Sequence, residues 1–228
     1  MKLLFIPGAG ASSKEWAFQT AYFADSEGVI LPGHLDGELC KSVGEYTEWL
    51  KSYIQRQKYQ DVVIVGHSFG GAIALLYALR HREDLKAIIL VGSGARLRVR
   101  PDILDMVRGM IGNAEAWKTY VESVPALKNP GMEAARQDML KIGPTVLLSD
   151  FLCCDSFDIM DKVQDIKVPT LIINGSEDIM TPVKYAGYLI DKIAGAKLEV
   201  IDGGTHDVYI EKPGEVNRAI EKFLETLS

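Results

Sequence analysis

Cysteine is scarce in this chain, three in 228 residues, at Cys40, Cys153 and Cys154. The number is odd and two of the three are sequence neighbours, which rarely bridge each other, so no disulfide framework is expected and a reducing, cytoplasmic setting fits. Positive charge is also in short supply: 25 Lys and Arg against 31 Asp and Glu leave a net charge of −6. This balance argues against a nucleic-acid partner, and the one local basic run, Arg96, Arg98 and Arg100, reads as a solvated stretch after a strand. No run approaches the roughly 18 apolar residues of a membrane span, so no membrane partner is expected. The apolar opening, residues 1–8, is too short for a signal-peptide core with its cleavage site and reads as a strand. The histidines are isolated and Cys153 and Cys154 are adjacent rather than spaced as ligands, which leaves no metal-binding pattern; neither a metal nor a cofactor is expected.

What the chain does contain is ordinary globular material, 47% hydrophobic and 25% charged, enough for one packed core. Short apolar runs at 3–6, 28–31, 62–65, 87–91, 170–173 and 198–201 alternate with amphipathic stretches at 16–23, 43–56, 72–80, 182–193 and 213–227. Strand–helix alternation with glycine turns between the elements is the βαβ pattern, which predicts an α/β fold. Its doubly wound, mainly parallel six-stranded sheet is covered by helices on both faces. Placing the first strand beside the third gives the order 2-1-3-4-5-6. Between residues 95 and 167 the alternation stops, and the helical run broken by Pro125, Pro130, Gly131 and Pro144 reads as an inserted helical cap. The core is then 1–94 and 168–228.

The chemistry starts at Gly66-His67-Ser68-Phe69-Gly70-Gly71, directly after the apolar run 62–65. A strand that turns straight into a helix crowds the backbone, so glycine is needed on both sides and the serine between them is pushed outward as a nucleophile. A hydroxyl needs a base to take its proton. Of the four histidines, His206 is the candidate, on a loop after the sixth strand; His34, His67 and His81 read as structural. The imidazole in turn needs a carboxylate, and Asp178 after the fifth strand is preferred over its neighbour Glu177. The oxyanion formed in acyl transfer needs two donors, supplied here by the N–H groups of Phe69 and of Ala9, the latter in the glycine loop Pro7-Gly8-Ala9-Gly10-Ala11. That loop is a poor phosphate cradle, because no Lys or Thr follows at P-loop spacing.

With these stretches, and with Leu31-Pro32-Gly33-His34, Gly175-Ser176-Glu177-Asp178 followed by Thr181-Pro182, and Gly204-Thr205-His206, the chain resembles the α/β-hydrolase superfamily over essentially its whole length. The resemblance implies a serine hydrolase of esterase type, with Ser68, Asp178 and His206 as triad and Ala9 and Phe69 as oxyanion donors. Pro7 departs from the family, many members of which carry histidine there, and the family's usual leading hairpin is not seen ahead of the first strand. A serine at the elbow argues against the epoxide hydrolases and haloalkane dehalogenases, which use aspartate. Cleavage of a carboxylic ester of a small, largely apolar substrate is the expected activity. A thioesterase, or a slow ligand-binding receptor on the same scaffold, is the alternative. Trp16, Phe69, Phe151, Phe157 and Met180 are expected near the pocket, whereas Asp150, Asp155 and Asp158 read as surface or helix-capping groups. Oligomeric state is not legible.

Overall fold

The computed structural model describes residues 1–227. Its six strands are β1 (Lys2–Ile6), β2 (Ser26–Gly28), β3 (Val62–His67), β4 (Leu85–Val91), β5 (Thr170–Gly175) and β6 (Lys197–Ile201). They pair in parallel in the order β2-β1-β3-β4-β5-β6, as the alternation predicts. Successive side chains of a strand point to opposite faces. Leu4, Ile6, Ile64, Ile88, Leu90 and Ile172 accordingly join one core cluster, and Leu3, Phe5, Val63, Val65, Ile89 and Ile173 the other. Burial on both faces explains why these strands read as continuous apolar runs rather than alternating ones. Each such side chain contributes about 1.5–3 kcal/mol, so the two clusters fix the strand register firmly.

Among the described residues there are ten α-helices: α1 (Ala17–Tyr22), α2 (Val43–Gln57), α3 (Phe69–Arg80), α4 (Pro101–Met110), α5 (Ala114–Ser123), α6 (Glu133–Ile142), α7 (Pro144–Ser156), α8 (Val183–Lys192), α9 (Val208–Glu211) and α10 (Pro213–Glu225). Proline opens α4, α7 and α10, where its missing N–H costs nothing. Helices α4 to α7 lie between β4 and β5, where the strand–helix alternation breaks off in the sequence. Among the described residues, no helix is long and apolar enough to cross a membrane.

Two expectations about the elements need correction. The second strand begins two residues earlier and ends three residues earlier than the apolar run 28–31 suggests: β2 pairs only through Ser26, Glu27 and Gly28 with Leu3, Leu4 and Phe5. Val29 still donates to the Phe5 carbonyl at 2.9 Å. The chain then leaves the ladder ahead of Pro32, while Val29 and Leu31 stay buried, at 1% and 0% exposure. The apolar run thus marked burial and not pairing. The stretch 16–23 also does not form one helix; it begins as a 3-10 turn, Ser13–Trp16, capped by Ser12, and continues as α1.

Candidate active site

β3 ends at His67, and Ser68 forms the junction with α3 at φ +49° and ψ −110°. This left-handed backbone is costly for a residue with a Cβ. It persists because the surroundings leave no alternative. A Cβ at Gly66 would lie 2.2 Å from the Gly70 carbonyl oxygen, and one at Gly70 would lie 2.4 Å from the Ile6 carbonyl oxygen. The Ser68 N–H donates to the Val91 carbonyl at 2.9 Å, and the Ser68 carbonyl accepts from Ser93 Oγ at 2.8 Å, so the main chain is clamped on both sides. The strained turn predicted from the glycine spacing is present.

Asp178 follows β5 and His206 follows β6, so both lie at the same carboxyl edge of the sheet as Ser68. His206 Nδ1 lies 2.9 Å from Asp178 Oδ2. A carboxylate only accepts, which puts the ring proton on Nδ1 and leaves Nε2 with a free lone pair. Asp178 Oδ1 accepts from the backbone N–H groups of Met180 and Thr181, both at 2.8 Å, and Oδ2 accepts from Thr181 Oγ1 at 2.7 Å. Burial works against the carboxylate charge, but His206 and Thr181 together outweigh it and hold Asp178 below the usual carboxylate range. Glu177 is excluded as the partner: its carboxylate is exposed, and its N–H is spent on the Gly204 carbonyl.

His67 sits behind His206, with ring centroids 4.7 Å apart, and its Nε2 donates to the His206 carbonyl at 3.1 Å. Burial, then the nearby His206, push it well below the ordinary histidine range, so it is a neutral prop for the His206 main chain. Ser68, His67, His206, Ala9 and Gly8 line one cleft of about 320 Å³, whose far wall comes from helices between β4 and β5, through Tyr120, Met139, Leu147 and Phe151. Among the described residues, the Ala9 and Phe69 N–H groups have no acceptor within the protein, which leaves two backbone donors at this rim.

Of the expected pocket residues, Phe151 and Met180 do line the cleft. Trp16, Phe157 and the Phe69 side chain do not. Trp16 is fully buried between Phe5 and Tyr209, with centroids at 4.9 and 4.2 Å, because its 3-10 turn faces the sheet. Phe157 closes the end of α7 into the core cluster on the other face, and Phe69 packs edge-on against Tyr46 at 5.1 Å. Asp155 and Asp158 behave as expected, taking the Val99 and Met160 N–H groups, with Asp158 also facing Arg96. Asp150 does not: it is 0% exposed and accepts hydrogen bonds from the Gly10 N–H and the Tyr46 hydroxyl.

The sequence reading missed Glu15 and Asp207, which also line the cleft. Glu15 accepts from the Tyr209 hydroxyl at 2.8 Å. Burial first, and the Asp207 charge second, push its carboxyl up to about 8, against the lowering effect of that hydrogen bond. Its position just past the glycine loop was the only available hint.

A sequence profile described as the alpha/beta hydrolase family matches residues 3–219. The chain belongs to that family. A solved structure described as a thermophilic esterase is similar to this alpha/beta hydrolase at 34% identity and TM-score 0.83, covering 100% of this chain and 90% of the other. An esterase from Exiguobacterium antarcticum superimposes at TM-score 0.85 with 20% identity, over 99% of this chain and 92% of the other, which speaks for the fold. The 3-oxoadipate enol-lactonase 2 of Acinetobacter baylyi is 24% identical over 98% of this chain and 88% of its own length.

Proposed function

We propose that this alpha/beta hydrolase is a carboxylesterase acting on small, largely uncharged esters, with the segment 95–167 serving as the cap over its cleft. The observation that carries the reading is the 2.9 Å contact between His206 Nδ1 and Asp178 Oδ2 in the wall of the cleft that Ser68 enters. In this scheme Ser68 Oγ attacks the ester carbonyl while His206 Nε2 takes its proton. Asp178 holds the tautomer and stabilises the imidazolium that forms. The Ala9 and Phe69 N–H groups receive the developing oxyanion. His206 then returns the proton to the leaving alcohol, and water, activated by the same ring, releases the acyl group from Ser68. The cleft volume, near the lower end of ligand pockets, favours a short acyl chain. Among the described residues no Lys or Arg lines this cleft, and Arg98 alone lines an adjoining pocket that also reaches Ser68 and His206, so a cluster of cations for coenzyme A phosphates is found in neither.

The test is hydrolysis of p-nitrophenyl acetate and butyrate by the parent and by Ser68→Ala. A loss of kcat by a factor of about 10⁴ or more is expected. Turnover by Ser68→Ala at the parental rate would overturn the mechanism.

A further inference from the structure

We infer that helix α7 completes the oxyanion site from the cap side, with Asp150 as a positioning residue that holds the loop carrying the Ala9 N–H. The inference rests on the proposed esterase reading and deepens it. Asp150 Oδ2 accepts from the Gly10 N–H at 2.8 Å, across 140 residues of chain. His34 Nε2 lies 3.0 Å from the same oxygen, at ion-pair distance but without hydrogen-bond geometry. The other face of that ring closes the arrangement: His34 Nδ1 is 2.7 Å from the Ala11 carbonyl, an acceptor, so Nδ1 carries a proton. The Tyr46 hydroxyl takes Oδ1 at 3.1 Å and stops the carboxylate from turning away.

The loop is therefore gripped twice just after the Ala9 N–H, within the Ala9–Gly10 peptide by Asp150 and at the Ala11 carbonyl by His34. Packing tightens the grip. Gly10 has φ +64°, and a Cβ there would lie 2.8 Å from Leu147 Cδ1. Leu147 and Asp150 are three residues apart on α7 and so share a face. The same helix supplies Phe151 to the cleft wall. Seating of α7 thus shapes the substrate space and sets the donor direction at Ala9 in one step. A buried carboxylate costs several kcal/mol unless it is paired and hydrogen-bonded, so one aimed at the loop amide next to a free N–H is more than helix packing requires.

The experiment compares Asp150→Leu, which removes both acceptors at similar volume, Asp150→Asn, which keeps one, and Asp155→Asn, which removes a carboxylate charge from the same helix while leaving an oxygen for the Val99 N–H and not touching the loop. Each is assayed for kcat and KM on p-nitrophenyl acetate, and for amide hydrogen exchange at residues 8–11. Asp150→Leu is expected to lower kcat by roughly ten- to a hundred-fold with KM within about threefold, because a donor displaced by a fraction of an ångström serves the transition state and not the ground state. Exchange at Gly10 should accelerate, and Asp155→Asn should change neither readout. Should Asp150→Leu fail to fold, Asp150→Asn decides through a smaller fall in kcat, about threefold or more, again at steady KM. Unchanged exchange at Gly10, a loss carried by KM, or an equal loss in Asp155→Asn overturns the proposal. The exchange readout does not depend on turnover, so failure of this idea and failure of the Ser68 mechanism are separable.

Discussion

Glu15→Gln is expected to stabilise the folded protein at neutral pH and to lose that advantage in acid. Glu15 is 8% exposed in the cleft wall, and its carboxyl is pushed from an ordinary 4.5 up to about 8 by burial and by the charge of Asp207. The unfolded chain releases this proton near 4.5, while the folded chain keeps it until about 8. Between those values the native state binds more protons than the unfolded one, so stability falls as pH rises. Holding the proton at pH 7 spans about 2.5 pH units, and at about 1.4 kcal/mol per unit the cost is roughly 3 kcal/mol. Against a total stability of about 5–15 kcal/mol, that is a large fraction for one side chain.

Glutamine is nearly isosteric and keeps an oxygen for the Tyr209 hydroxyl, so packing and the hydrogen bond persist while the titration disappears. Urea unfolding of parent and variant at pH 4.5, 6, 7 and 8 isolates the effect, because titrating groups that do not interact with Glu15 cancel in the difference. The variant's stability minus the parent's should grow by roughly 3 kcal/mol from pH 4.5 to pH 7 and level off above about 8. A difference that stays flat within about 1 kcal/mol, or that shrinks with rising pH, refutes the assignment of a protonated, buried Glu15.

Four further outcomes are expected at the site. Ser68→Gly should be more stable than Ser68→Ala by about 1 kcal/mol in thermal or urea unfolding, because only glycine relieves the backbone at φ +49°, whereas both variants should be inactive. Asp178→Asn should lower kcat by about 10³–10⁴ in the p-nitrophenyl ester assay by releasing the His206 tautomer. Because Asp178 is held below the ordinary carboxylate range, its stabilising contribution is complete above that range and is lost as pH falls through its lower native value; unfolding profiles should show this acid-side loss in the parent and not in Asp178→Asn. Esters bearing a free carboxylate, such as mono-p-nitrophenyl glutarate, should be hydrolysed about ten times less efficiently than p-nitrophenyl butyrate at pH 7, with the gap widening towards pH 9 as Glu15 ionises. Equal kcat/KM for the two at both pH values contradicts a role for Glu15 and Asp207 in repelling the carboxylate.

The sheet and the elbow were legible because their causes are local. Val62 to Val65 announce a strand buried on both faces, and the crowding at Gly66 and Gly70 is a property of six consecutive residues. The contact of His206 with Asp178 was legible for a different reason: a parallel sheet brings the carboxyl ends of its strands to one edge, so two loops 28 residues apart in sequence had to meet there. Trp16 and Phe157 show where this logic stops. Proximity to a loop near the site says nothing about which way a side chain turns, and both turned into the core.

Asp150 and Glu15 mark a deeper limit. Apolar periodicity reports which face of a helix is buried, but a carboxylate is buried only when partners arrive, and those of Asp150 come from Tyr46 and Gly10, 104 and 140 residues away. No local pattern encodes such a meeting. Yet the costs gather in one place: a strained Ser68 and a Glu15 whose carboxyl is pushed up to about 8 line the same cleft, and Asp150 and Asp178, shut away from water, hold its glycine loop and its histidine. A fold selected only for stability gains nothing from a carboxyl raised to about 8 at Glu15. The concentration of such costs at the rim, rather than their scatter through the core, is what a scaffold held in shape for a transition state is expected to show.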